Sequence, residues 1–196
     1  MGCPVSMESH GAHCQDAVRT LLSGIGENPT RPGLLDTPRR VVDMYREMTS
    51  GYQQDPATIL ARMFDDTSDE MVVLEGIEFT SLCEHNLLPF VGTATVGYVP
   101  DKQVVGISKL ARLVECYARR LQVQERMTKQ IADAIMEHLK PQGAAVLVKA
   151  RHSCMGCRGV RKPSALMTTS ALRGVFMTNQ SARAEFLSLC NSVLTR

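Results

Sequence analysis

Apolar positions along this chain recur with two periods, and the points where one gives way to the other mark its elements. Residues 12 to 24, AHCQDAVRTLLSG, carry apolar side chains at helical spacing and end on Gly24, which predicts a short helix. GENPTRPG then breaks the pattern. In LLDTPRRVVDMYREMTSGY, Thr37 suits the cap, Pro38 the first helical position, and Val41, Met44 and Met48 share a face until Gly51 stops it. The period changes to that of strands in residues 71 to 82, MVVLEGIEFTSL, and again in 90 to 99, FVGTATVGYV, where β-branched residues partly alternate. SKLARLVECYARRL and VQERMTKQIADAIMEHLK return to the helical period, with a break near Leu121 and Gln122 and a stop at Pro141 and Gly143. AAVLVKARH reads as a strand, ALMTTSAL with GVF as one or two more, and residues 179 to 192 as a closing amphipathic helix.

Helices, two strands, two helices, two or three strands and a helix make an α+β order, with no βαβ alternation. At 196 residues the chain can bury a full core, and we expect an N-terminal helical region over residues 1–70 and a mixed domain over 71–196. No apolar run approaches the roughly 20 residues that span a bilayer, and no basic stretch leads into an apolar one at the N-terminus, so a cytoplasmic protein without a membrane partner is expected. Seven cysteines, an odd number, fit a reducing compartment in which thiols serve as ligands, nucleophiles or core filler. The opening MGCPVS formally matches an acylation pattern, but the motif is short and Pro4 speaks against it.

Charge sharpens the picture because it is unevenly spread. Residues 1–100 hold 6 Arg, 14 acidic residues and no Lys; residues 101–162 hold 13 Lys and Arg against 5 acids. A compact basic segment in a chain of net charge +2 suits a pocket for a small polyanion better than a nucleic-acid surface. With 5% aromatics and no Trp, stacking platforms for bases are scarce too.

Two clusters able to do chemistry fall at the ends of expected strands. SLCEHNLLPF brings Cys83, His85 and Asn86; HSCMGCRG brings His152, Cys154, Cys157 and Arg158. Cys83, Cys154 and Cys157 could give zinc three thiolates with one position left for water, or all three could be ordinary core cysteines. His85 and His152 either carry protons or only orient a ligand. Cys3, Cys14, Cys116 and Cys190 read as structural. Ser108, Lys109 and Arg112 open a helix, where backbone N–H groups already favour an anion. Glu125, between Gln124 and Arg126, starts the next helix; it serves either the dipole or a ligand's N–H edge.

SLCEHNLLPF, VVGISKLARLVECYARRLQVQERMTKQIADAI, HSCMGCRGVRKP and MTTSALRGVF, in this order, resemble GTP cyclohydrolase I, over about residues 34–188. The resemblance implies the tunnelling fold, an antiparallel sheet backed by two long helices, assembled as a homodecamer of two pentamers with active sites between subunits. It also implies the conversion of GTP and water to formate and 7,8-dihydroneopterin triphosphate, from which folate, a reduced pterin cofactor or a deazaguanine can follow. On that likeness Cys83 and Cys154 are zinc ligands and His85 and His152 the catalytic histidines. Glu125, with Gln124 beside it, reads the guanine edge, while Ser108, Lys109, Arg112 and Arg158 line the triphosphate with Arg126 nearby.

One position departs from the family. Its usual motif is Cys-Glu-His-His, with the second histidine as third zinc ligand, and here Asn86 stands in that place. An amide oxygen is a weak ligand for zinc, so either Cys157 takes over, or Asn86 shares the metal, or the site binds metal poorly. The last outcome favours a second reading, a non-catalytic GTP- or pterin-binding member that acts as a regulatory subunit. Another tunnelling-fold enzyme acting on a pterin or deazapurine fits less well, since the HSC, QVQER and SKLAR segments are intact.

Overall fold

The computed structural model describes residues 11–64 and 69–190. Cys3 and the amino-terminal acylation motif lie outside the described residues, as do positions 191 and 192 of the closing helix expected from sequence. The chain divides into two compact units, one ending at Thr49 and one beginning at Ser50. The first holds α1 (Gly11–Gly24) and α2 (Thr37–Met48). The second holds α3 (Pro56–Leu60), β1 (Met63–Phe64), β2 (Val72–Cys83), β3 (Pro89–Val99), β4 (Val104–Val105), α4 (Ile107–Ala118), β5 (Leu121–Gln122), α5 (Gln124–Leu139), β6 (Gly143–His152), α6 (Ser153–Gly156), β7 (Met167–Gly174), α7 (Val175–Thr178) and α8 (Gln180–Leu189).

The first unit corrects the sequence reading in detail. Thr37 already lies inside α2, and the cap is Asp36, whose side chain makes no capping bond. On the expected face Val41 and Met48 are only half-buried and Met44 is exposed; Pro38 and Val42 are the buried positions. Cys14 is exposed on α1, whereas Cys116 and Cys190 are buried as core filler.

In the second unit a five-stranded sheet runs in the order β5-β2-β3-β6-β7, antiparallel except where β5 pairs parallel with the end of β2. One long hairpin forms its centre: β2 and β3 pair from Val72↔Tyr98 to Leu82↔Pro89, with a register shift between Leu74 and Ile77. β6 continues the ladder, setting His152 opposite Phe90. The two tandem helices lie over the sheet because their apolar stripes match its buried face. Leu110, Leu113 and Val114 of α4 and Met127, Ile131 and Ile135 of α5 are fully buried, with Phe90, Ala94, Val96, Val146 and Val148 of the strands in the same core. Each of these side chains except the smaller Ala94 contributes about 1.5–3 kcal/mol by leaving water. Gly51 lets the chain pass beneath α4, since a Cβ there would stand 2.2 Å from the Cys116 carbonyl oxygen.

The break at Leu121 and Gln122 is more than a loop. It is β5, and it pairs with Leu82 and Cys83 at the end of β2. By contrast, GVF is not a strand of its own: Gly174 ends β7 at φ +57, and Val175 and Phe176 begin α7. Among the described residues no helix is long and apolar enough to cross a membrane.

Candidate active site

The turn between β2 and β3 is drawn tight by its own backbone. Cys83 N–H donates to the Leu88 carbonyl at 2.9 Å, Leu87 N–H donates to the Cys83 carbonyl at 2.8 Å, and Glu84 N–H donates across to Gln122 O of β5 at 3.0 Å. Leu87 is thereby held at φ 58, a left-handed conformation that costs a β-carbon-bearing residue on the order of 1–3 kcal/mol. The consequence is directional. Cys83 is buried at the strand end, His85 projects into solvent, and Asn86 tucks beneath, where its Oδ1 accepts from Leu88 N–H at 3.2 Å.

Across the sheet, β6 ends at His152 and the chain turns at once into α6, which carries Cys154. That one turn delivers Cys154 to the β2–β3 turn. Burial, first, and then the neighbouring Cys83 push the Cys154 thiol up, while a hydrogen bond with Asn86 pulls it down. His85 Nδ1 lies 3.6 Å from Cys83 Sγ. Two thiols, an amide and an imidazole from separate elements therefore meet at one place. The two neighbouring sulfurs fit a soft divalent cation: positive charge there would offset the burial and the Cys83 neighbour that push the Cys154 thiol up.

Cys157 closes α6. It is exposed, its N–H donates to Ser153 O at 2.9 Å, and it follows Cys154 by three residues, the spacing that puts side chains on one helical face. Among the described residues no three His, Cys, Asp or Glu side chains are gathered as a metal cluster, so Cys157 does not stand with Cys83 and Cys154 in this arrangement. Arg158 is exposed on the loop that follows.

His152 is built in from several sides. Its ring stacks on Phe90, centroids 4.5 Å apart and planes 6° from parallel, and its Nε2 lies 2.8 Å from Gln124 Oε1. Burial lowers its pKa, and nearby Glu125 partly counters that. Gln124 is fully buried beneath the histidine, while Glu125 is exposed in the first turn of α5. Arg126 is bound by Glu84 of the turn, which lowers the Glu84 carboxyl, and its Nε donates to Gln122 Oε1 at 3.2 Å.

Ser108, Lys109 and Arg112 stand elsewhere. They occupy the first turns of α4, whose far end leads into β5 beside Cys83; from Lys109 to Ala118 the helix rises about 14 Å. Lys109 and Arg112 line an open cleft of ≈ 660 Å³ with Asp55, Thr58 and Glu115. The candidate residues thus form two groups on one chain.

A sequence model of GTP cyclohydrolase I matches residues 14–191. The chain belongs to this family. It is 53% identical over 182 residues to GTP cyclohydrolase 1 of Wolinella succinogenes, covering 92% of this chain and 97% of that protein. Against GTP cyclohydrolase 1 of Campylobacter jejuni it is 53% identical over 179 residues, 91% and 94% of the two chains. Against that of Mycolicibacterium gilvum it is 54% identical over 180 residues, 91% and 89%. Among solved structures, the archaeosine synthase QueF-Like in the apo form covers 55% of this chain and 96% of its own, with a TM-score of 0.46 and 19% identity. The α+β architecture of this member of the GTP cyclohydrolase I family rests on its own strands and helices.

Three residues that sequence reading passed over now belong to the site. Phe90 carries the ring of His152, and Thr128 and Thr169 join the hydrogen bonds around Gln124. All three lay inside recognised motifs; the further signal for Thr128 was a hydroxyl four residues after Gln124 on an apolar helix face.

Proposed function

We propose that this protein is a GTP cyclohydrolase I that opens the five-membered ring of GTP at C8. One GTP and one net water become one formate and one 7,8-dihydroneopterin triphosphate. The observation that carries this reading is the meeting of Cys83, Cys154, His85 and His152 at one end of the sheet, with Glu125 near enough to act on His152. Zinc, when bound, supplies the Lewis acidity that lets a water attack C8 at neutral pH. Cys83 and Cys154 would hold it, and Cys157, which follows Cys154 at helical spacing but does not stand beside it here, would move in as the third donor. Asn86 already spends its oxygen on Leu88 N–H, so its amide group serves the Cys154 sulfur instead of the metal.

His152 gives a proton to N7 of the purine, and His85, exposed above Cys83, moves protons as the ring opens and formate leaves. Glu125 accepts hydrogen bonds from the guanine N–H edge. Ser108, Lys109, Arg112 and Arg158 hold the triphosphate, and Arg126, anchored by Glu84, borders the turn. The separation of the two groups along α4 supports a site completed by a neighbouring copy. So do two edges that pair with no described strand: the outer edge of β7, and the side of β2 away from β3 over the residues before Leu82. Closed pairing of such edges gives a ring, and we assign a homodecamer of two pentamers. The six described cysteines are all unpaired, in keeping with a cytoplasmic protein.

Incubation with GTP and zinc, followed by the fluorescence of the oxidised pterin and by formate release, tests the proposal. Both products are expected in equal amounts. Binding of GTP without either product would instead establish the non-catalytic regulatory reading that Asn86 favours.

A further inference from the structure

Five hydrogen bonds around Gln124 can be assigned a direction, and together they fix a proton on His152. Thr128 Oγ1 lies 2.7 Å from the Gln124 backbone oxygen. Two oxygens that close need a proton between them, and only the hydroxyl has one to give. Thr128 Oγ1 also lies 2.7 Å from Thr169 Oγ1, so the proton in that gap comes from Thr169. Thr169 then has none left for Gln124, and the amide atom 3.1 Å from it must be the nitrogen. The same nitrogen is 3.1 Å from the Val148 and Met167 carbonyl oxygens, which accept and never donate. A flipped amide would set an oxygen against three acceptors in a fully buried place. Oε1 therefore faces His152, and the ring nitrogen 2.8 Å away, Nε2, must carry the hydrogen.

We propose that Gln124, oriented by the Val148 and Met167 carbonyls and by the Thr169–Thr128 hydroxyl pair, is a positioning residue that locks His152 in the Nε2–H tautomer. Nδ1 is then the nitrogen that takes up a proton from water and passes it on to N7 of the substrate. Stacking on Phe90 fixes the plane of the ring; the amide fixes which of its nitrogens is basic. Gln124 is accordingly assigned to His152 and not to the guanine. This rests on the reading of His152 as the proton carrier, but the tautomer itself does not depend on turnover.

The test uses the zinc-loaded protein labelled with 15N-histidine, with ring-nitrogen shifts recorded under magic-angle spinning at a pH where the ring is neutral. His152 is assigned by its loss in His152→Ala. We expect a protonated Nε2 and a bare Nδ1 in the unsubstituted protein, mixed tautomers in Gln124→Met, and a partial shift in Thr169→Val that Thr169→Ser reverses. In GTP turnover, Gln124→Met should lower kcat about 10–100-fold with KM little changed, the range for losing a group that orients an active imidazole. Thr169→Val should follow in the same direction, and Thr169→Ser should restore the rate. A protonated Nδ1 in the unsubstituted protein overturns the proposal, whatever the variants do. So does a Thr169→Val protein that keeps both the tautomer and kcat. If the tautomer is found as stated but no GTP is consumed, the inference stands and the cyclohydrolase reading falls.

Discussion

The two ends of α4 hold side chains of opposite temper. At its C-terminal end, around Cys83, His152 and Gln124, nearly every polar atom is committed: amide to carbonyl, imidazole to amide, thiol to thiol, with apolar side chains beneath. At its N-terminal end Ser108 and Arg112 are exposed, and Lys109 and Arg112 face an open cleft. The first end resembles a preformed reaction site, where donors must stand ready before charge develops. The second end is open charge, and as the proposed triphosphate site it tolerates flexibility because a polyanion is held by summed attraction. Substitutions at the two ends should therefore fail differently, one in kcat and the other in KM.

The largest effect expected is at the committed end. His152→Ala should lower kcat by about 10²–10⁴-fold, the usual contribution of a positioned acid or base, with zinc content unchanged and KM for GTP within a few-fold. Metal analysis beside steady-state kinetics checks this. Loss of zinc together with activity would mean that the histidine supports the metal, and the contrast between the ends would shrink to one of metal binding. At the charged end, Arg112→Ala should raise KM about 10–100-fold, as removal of one charge-assisted contact does, and leave kcat nearly intact. The same variant should show a weaker dependence of KM on salt, read by repeating the kinetics over a range of ionic strength. A fall in kcat without a change in KM would place Arg112 with the chemistry.

How legible each end was in the sequence follows from the same contrast. Strand and helix periods located β2, β3, β6, α4 and α5 closely, because those elements bury one face and the pattern is the record of burial. GVF was misread as strand since three apolar residues fit either element; Gly174 at positive φ decides for a turn into α7. The charged residues could be named from sequence because cations at a helix start are a local feature. The service role of Gln124 could not be, since its partners come from β6 and β7, far along the chain. Asn86 was conspicuous as a departure, yet what it does depends on a turn whose shape is set by Leu87 in the left-handed region.

Cys157 tests how far the committed end is complete. As third donor its replacement by Ala should weaken zinc about 100-fold or more, since losing a ligand exceeds the 10–100-fold typical of a residue that only orients one. A competition titration with a chromophoric chelator reads this. Unchanged affinity would leave Cys157 an idle surface thiol and return the third position to the β2–β3 turn.

The smallest effects should come at Asn86, and their signs carry the information. Asn86→Ala removes a hydrogen bond to the Cys154 sulfur, so zinc affinity should drop about 10-fold while the ligand set stays the same. Asn86→His adds a ligand instead, and zinc should bind more tightly. If Cys157 is already the third donor, that histidine becomes a fourth and fills the position water needs, as in closed structural sites, so turnover should fall as affinity rises. Combining Asn86→His with Cys157→Ala should reopen the position and recover the rate. If Asn86→His alone speeds turnover, the site had been short of a ligand, and Cys157 cannot have been supplying it.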